Sequence, residues 1–250
     1  MPSSPFERSD RSDGFAINPE LDLEGIAAGW RRNGRIQIRN FLSPTSAAFL
    51  RDELGTTTAW RHLINGTDKV FEMAPSDYDA LPTHTRLELD RSVNAVAARA
   101  FQFSFDSIRV DDDPLERQRS RDPLAAFAQF LASPESLAML GYIVGVDDLN
   151  FADVQATRYR VGDFLTRHDD VVEGKHRVAA YVLGLVEEWR AEWGGLLMFV
   201  NPNDHVDEVF IPAFNTLSLF AVGQPHFVSP VAPYAAEPRL AVTGWLRRLP

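Results

Sequence analysis

A chain of 250 residues, 45% hydrophobic and 24% charged, holds enough apolar material for one large domain or two small ones and excludes a disordered or fibrous protein. It contains no cysteine, so disulfides, thiolate zinc sites, iron–sulfur clusters and a cysteine nucleophile are all ruled out, and any metal must sit on His, Asp or Glu. Its formal charge of -10 repels a phosphate backbone, which makes nucleic acid an unexpected partner.

In chain order, residues 1–15 are polar and aperiodic and read as a disordered tail. They carry no signal-peptide core, and no later apolar run approaches the roughly 20 residues needed to span a bilayer, so the expected address is the cytoplasm, away from membranes. Asn18-Pro19 predicts a helix start and Gly34 its stop. RIQIR alternates as a strand does. Ser43-Pro44 and Gly55 bracket a second helix, and Asn65-Gly66 marks a hairpin turn between AWRHLI and TDKVFEM. Residues 83–101 carry a helical pattern, and Asp122-Pro123 and Ser133-Pro134 open two further helices that end near Gly145.

After about residue 149, short β-rich segments take over: FADVQATRYR, RVAAYVLGLV, GLLMFV, EVFIP, NTLSLFAV, HFVSP and RLAVTGWLRR. Prolines fall at their ends, where a missing ladder donor does little harm. Seven such segments in about a hundred residues predict a closed or double-sheet β architecture. The expected fold is α+β: a jelly-roll core, or double-stranded β-helix, over 149–250, with helices and a hairpin from 16–148 packed on it as one integrated domain.

Of the six histidines, only His168 lies in a local arrangement suited to a metal. In His168-Asp169-Asp170, residues two apart project to one side of an extended chain, so His168 and Asp170 converge while Asp169 points away. Alone, the tripeptide also reads as a solvated acidic loop. His226, between Pro225 and an apolar run, is the best candidate for a third ligand, and two histidines with one carboxylate make the facial triad of non-haem Fe(II) oxygenases. A 2-oxo acid is the usual electron donor for such iron, and its far carboxylate needs a cation. Arg239, thirteen residues beyond His226, offers a bidentate clamp.

The stretch YRVGDFLTRHDD, followed by RVAAYVLGL, EWGGLLMF, FNTLSLFAV, PHFVSPV and RLAVTGW, resembles the catalytic domain of the Fe(II)/2-oxoglutarate-dependent prolyl hydroxylases, most of all the branch acting on a ribosomal-protein proline. The resemblance covers roughly residues 149–248. It implies that His168, Asp170 and His226 bind Fe(II), that Arg239 pairs with the distal carboxylate of 2-oxoglutarate, and that the Tyr159 hydroxyl reaches that cosubstrate. O2 is then the second cosubstrate and ascorbate a supporting reductant. Thr243 shares the face of Arg239 by the two-residue period of a strand, and Trp245 follows on it, to wall the pocket, touch a substrate ring or fill the core.

The expected substrate is a prolyl residue of a protein or peptide, with a free amino acid or a peptidyl natural-product intermediate as the alternative. A noncatalytic jelly-roll binding module and a zinc hydrolase are disfavoured, since neither has a use for the full set of ligands plus Arg239. Asp170 also argues against a halogenase, which needs a small residue in its place. Residues 1–148 match no motif, and a second jelly roll, found in larger members of the ribosomal branch, is not expected in 250 residues. Gly194-Gly195 predicts a tight turn that also lets backbone pass close to substrate. Arg158, Arg160 and Arg167 form a local basic cluster, read either as a solvated face or as contacts to an acidic substrate. The segment around Asn65-Gly66 and the charged run 111–122 are the expected mobile cover. The oligomeric state is left open.

Overall fold

The computed structural model describes residues 14–66 and 69–250; residues 1–13 of the expected tail lie outside the described residues. The elements run α1 (Leu23–Asn33), β1 (Arg35–Arg39), α2 (Pro44–Thr56), β2 (Arg61–Asn65), β3 (Val70–Met73), α3 (Pro75–Asp79), α4 (Thr83–Ala97) and β4 (Phe103–Arg109). Then come α5 (Pro114–Arg119), α6 (Pro123–Leu131), α7 (Pro134–Val144), β5 (Phe151–Ala152), β6 (Gln155–Tyr159) and β7 (Phe164–His168). The chain closes with β8 (Arg177–Gly184), β9 (Leu197–Val200), β10 (Val206–Phe210), β11 (Thr216–Ala221), β12 (His226–Val228) and β13 (Arg239–Arg247).

Capping chemistry sets most helix starts. Ser43, Asp122 and Ser133 each accept a backbone N–H ahead of a proline in the first turn, and Gly145 closes α7 in the left-handed region (φ 76°). The first helix begins later than Asn18-Pro19 suggests. Asn18 is held to the chain ahead of α2 through its N–H to the Phe41 carbonyl, and its side chain accepts from Glu20 N; Asp22 takes over as the cap, accepting from Gly25 N. At the last residue of the expected tail, Phe15 is buried against Phe49, Phe127 and Phe130, because an aromatic ring gains more from the core than the chain loses by being ordered there.

The strands form one continuous antiparallel path, β1-β11-β8-β13-β6-β4-β7-β12-β9-β10, which curls into a nearly closed barrel of jelly-roll type. One face of its larger part, carrying Ala179, Tyr181, Leu183, Leu217, Leu219 and Val242, packs on α1, α2, α6 and α7 through Trp30, Leu50, Phe127 and Leu140. The opposite face looks into the barrel. Two strands come from outside the β-rich half: β1 adds to β11, and β4 pairs with both β6 and β7, joining the two sheets. Strand β4 follows a helix shorter than the pattern over 83–101 suggests; α4 stops at Ala97, and FSFDSIR alternates as a strand.

The β2–β3 hairpin forms with Asn65 opposite Val70 and the Gly66 N–H donating to the Lys69 carbonyl at 2.8 Å, so Asn65 and Gly66 continue the pairing of the two strands instead of making the turn themselves. The expected mobile run 111–122 instead holds α5. Arg117, 3% exposed, pins it by donating to the Asp111 and Ala152 carbonyls and by stacking its guanidinium 4.6 Å from the centre of the Phe151 ring. Among the described residues, no helix is long and apolar enough to cross a membrane.

Candidate active site

Strand pairing brings the two histidines together. His168, the last residue of β7, lies opposite His226, the first of β12, and their rings are 4.2 Å apart. Asp170 follows in the left-handed region (φ 65°), so the chain bends back and sets its two carboxylate oxygens 3.5 Å from Nε2 of His168 and of His226. One ligand atom from each of the three lies within 4.8 Å of the others, and this is the one such group of three among the described residues. His168 Nδ1 donates to the Thr166 carbonyl at 3.0 Å and His226 Nδ1 to the Gln224 carbonyl at 2.8 Å. A carbonyl can only accept, so both Nδ1 atoms carry the hydrogen and both Nε2 lone pairs face the centre.

The electrostatics agree with that tautomer. Burial, reinforced by the charge of His168, pushes His226 down to about 4, so its ring stays neutral through the physiological range. Burial alone would raise Asp170, but its contacts with His168 and His226 outweigh that and hold it below the ordinary carboxylate range. Two imidazole nitrogens and one carboxylate on one side of a shared centre suit a divalent ion that keeps open positions.

The triad opens on a cavity of about 650 Å³ lined by Tyr159, Arg239, Thr243 and Trp245 and, beyond the expected set, by Phe101, Phe103 and Phe105. Arg239 and Tyr159 are direct cross-strand partners on β13 and β6, with the guanidinium 5.0 Å from the ring centre. Arg239 is 3% exposed and has no acidic partner among the described residues, so burial lowers its guanidinium from the usual value with only the Tyr159 phenol opposing the shift. Burial pushes that phenol up. Eight buried side-chain polar atoms lack a hydrogen-bond partner among the described residues, and five of them belong to residues lining this one cavity: Asp153 Oδ2, Thr157 Oγ1, Arg177 Nε, Arg239 Nε and Trp245 Nε1. Buried polar atoms are nearly always paired, so such a concentration marks a place where a ligand supplies the partners. A buried cation without an anion fits the far carboxylate of a 2-oxo diacid.

Trp245 is engaged from the other side by Arg177, whose guanidinium lies 3.5 Å from its ring centre while Nη1 donates to the Asp170 carbonyl. Arg177 and the three phenylalanines are site residues that motif spacing does not mark; the alternation FQFSF was the available signal for the latter. Arg160 and Arg158 are not brought to the cavity. The strand period that turns Tyr159 inward turns both to the opposite face, where Arg160 pairs with Asp79 and Arg158 with Asp106. Arg167 is exposed and pairs with Asp204, and His84, His176 and His205 lie at the surface away from the triad.

Residues 154–247 match the family described as the 2OG-Fe(II) oxygenase superfamily. The chain is 29% identical over 132 residues to prolyl 3-hydroxylase OGFOD1 of Mus musculus, covering 50% of this chain and 24% of that protein. It is 30% identical over 108 residues to prolyl 3-hydroxylase sudestada1 of Drosophila melanogaster, covering 39% and 20%. The matched segments thus span about a quarter or less of those curated relatives. Among solved structures, a Pseudomonas putida prolyl-4-hydroxylase aligns with TM-score 0.51 and 20% identity over 93% of this chain and 98% of that one. A Trichoplax adhaerens prolyl hydroxylase, in complex with a hypoxia inducible factor peptide, aligns with TM-score 0.58 and 18% identity over 90% and 89%. These two share the fold. Residues 154–247 are thus similar in sequence to the 2OG-Fe(II) oxygenase superfamily, and the chain shares its fold with these two prolyl hydroxylase structures.

Proposed function

We propose that this chain is an Fe(II)- and 2-oxoglutarate-dependent hydroxylase acting on a prolyl residue of a protein or peptide. The observation that carries the reading is the pairing, within one cavity, of an inward-facing His-Asp-His triad with a buried arginine that has no anion among the described residues. His168, Asp170 and His226 would hold the iron through Nε2, a carboxylate oxygen and Nε2. Arg239 would hold the distal carboxylate of 2-oxoglutarate, with Tyr159 and Thr243 walling that end. Fe(II) bound there supplies the oxidative chemistry that couples decarboxylation of 2-oxoglutarate to hydroxylation.

The chain's own contribution is positioning. The Thr166 and Gln224 carbonyls fix the imidazole tautomers, and the aromatic wall of Phe103 and Phe105 excludes water from the reacting face. The mouth carries Phe101, Val171 and Val172, all exposed, a wide apolar rim that suits a polypeptide segment better than the closed polar box a free amino acid requires.

The test incubates purified protein with Fe(II), ascorbate and 2-oxoglutarate against a lysate of its own source. Succinate release together with one added oxygen on a prolyl residue is expected, and both should vanish in His226→Ala. Oxygen appearing only on a low-molecular-weight metabolite, or full turnover by His226→Ala, would overturn the reading.

A further inference from the structure

Because Arg239 has no carboxylate to hold it, something else must fix its guanidinium, and the surrounding backbone shows what does. The chain turns at Gly194 and Gly195 with φ of 71° and 60°, and a Cβ built on Gly195 would stand 3.0 Å from Arg239 Cδ, 3.1 Å from Trp189 Cζ2 and 3.3 Å from Val231 Cγ2. A Cβ on Gly194 would stand 2.0 Å from the Pro230 carbonyl oxygen, so this turn has no slack toward the 230 segment either. Trp189 locks the turn from outside by donating its indole N–H to the Gly194 carbonyl at 2.9 Å, and it packs on the cluster that includes Tyr159 and Val231. Gly195 N is held in turn by the Ser229 and Pro230 carbonyls. The Arg239 stem therefore runs in a slot between the bare Gly195 backbone, against which Trp189 also packs, and the Tyr159 ring under its guanidinium.

We propose that Trp189 and Gly195 are positioning residues for the cosubstrate: the slot they form sets how deep the Arg239 guanidinium sits, and so which length of 2-oxo dicarboxylic acid spans the distance from metal to arginine. The inference rests on the cosubstrate reading above. Neither residue touches the acid; both act through Arg239. Placement by packing rather than by an ion pair also explains why the site can hold an unpaired cation rigidly, where a carboxylate partner would compete with the ligand.

The test uses the full chain loaded with Mn(II), which carries out no turnover, and measures binding of 2-oxoglutarate and of 2-oxoadipate, one methylene longer, by titration calorimetry. In Gly195→Ala and in Trp189→Phe, 2-oxoglutarate should weaken by about tenfold, the scale on which a charge-assisted contact responds to displacement. The preference between the two acids should shrink while Mn(II) affinity stays at the parent value. A merely structural role would lower thermal stability and leave the preference intact. Should Gly195→Ala not fold, Trp189→Phe decides alone, since it keeps an aromatic ring in place and removes the indole N–H that locks Gly194 together with the Cζ2 edge beside Gly195. Arg239→Ala separates the two levels: if it loses 2-oxoglutarate while the slot variants keep both affinity and preference, the inference falls and the cosubstrate reading stands. If Arg239→Ala itself binds like the parent, both fall.

Discussion

Strand β6 divides two buried polar sites of opposite character. On its outer face Asp106, fully buried, accepts from His62 Nδ1 at 2.8 Å and from Arg158 at 2.7 and 2.9 Å, while Arg160 reaches Asp79 at 2.9 Å. Nearby, Asp163 accepts from Ser104 Oγ and from Arg160 N, both at 2.8 Å. On the inner face, one residue over, Tyr159 backs an arginine that has no anion among the described residues, and the Thr157 hydroxyl finds no partner among them either. Both sites are rich in charge and both centre on buried groups, Asp106 in one and Arg239 in the other. The difference is that in the outer one the charges pair with one another and in the inner one the arginine has no anion among the described residues, so the first holds the fold together and the second awaits a ligand.

That contrast is sharpest in what each side loses when a charge is removed. Asp106→Ala strips the shared acceptor from His62, Arg158 and Arg160 and should cost about 3–5 kcal/mol in urea unfolding, the scale for breaking a buried pair from one side. Asp170→Ala, on the inner side, should lose Mn(II) binding while its metal-free stability changes far less; equal losses from the two substitutions would erase the distinction. Arg239→Met should weaken 2-oxoglutarate binding by about 2–5 kcal/mol. Its cosubstrate-free melting temperature should stay the same or rise, since an unpaired buried cation stabilises nothing. A marked fall would reveal a partner that the cavity hides.

The smallest effect is a titration. Burial raises the Asp163 carboxyl to about 6 from an ordinary value of 3.8. The folded state therefore binds this proton more tightly than the unfolded chain. The stability it contributes is full below about pH 4 and is lost as pH rises through about 6, about 1 kcal/mol of it between pH 5 and 7. Asp163→Asn should flatten that part of the pH–stability curve, and an unchanged slope would place the titrating group elsewhere.

Much of the inner site was legible in the sequence because its chemistry is local or periodic. His168 and Asp170 are two apart, and Arg239, Thr243 and Trp245 share one face of a strand. What the sequence could not display is pairing between distant segments. Arg160 sits next to Tyr159 and near the triad in the chain, and only the strand period sends it to Asp79 and Asp106 instead of to the cavity. Strand β4 was hidden for a related reason. Its residues come directly after a helical pattern, so the short alternation FSFDSIR is easily read as that helix's end, and its partners β6 and β7 lie about fifty to sixty residues on. His62 carries no motif; its importance comes from Asp106, which the β2–β4 register sets directly opposite it.

The two ends of the strand path, β1 and β10, meet through a side chain. Arg35 on β1 pairs with Asp207 and Glu208 on β10, and its Nη1 donates to the Gln224 side chain at 2.9 Å. Gln224 is the residue whose backbone carbonyl orients His226, and its amide also donates to the Gly34 carbonyl. The Arg35–Gln224 contact spans 189 positions of the chain. Contacts so far apart bear the entropy of closing a long loop, so the fold must offset that cost elsewhere. The residue whose carbonyl aims His226 is thus braced through its side chain by the earliest strand, so the ligand position of His226 is tied to both ends of the strand path.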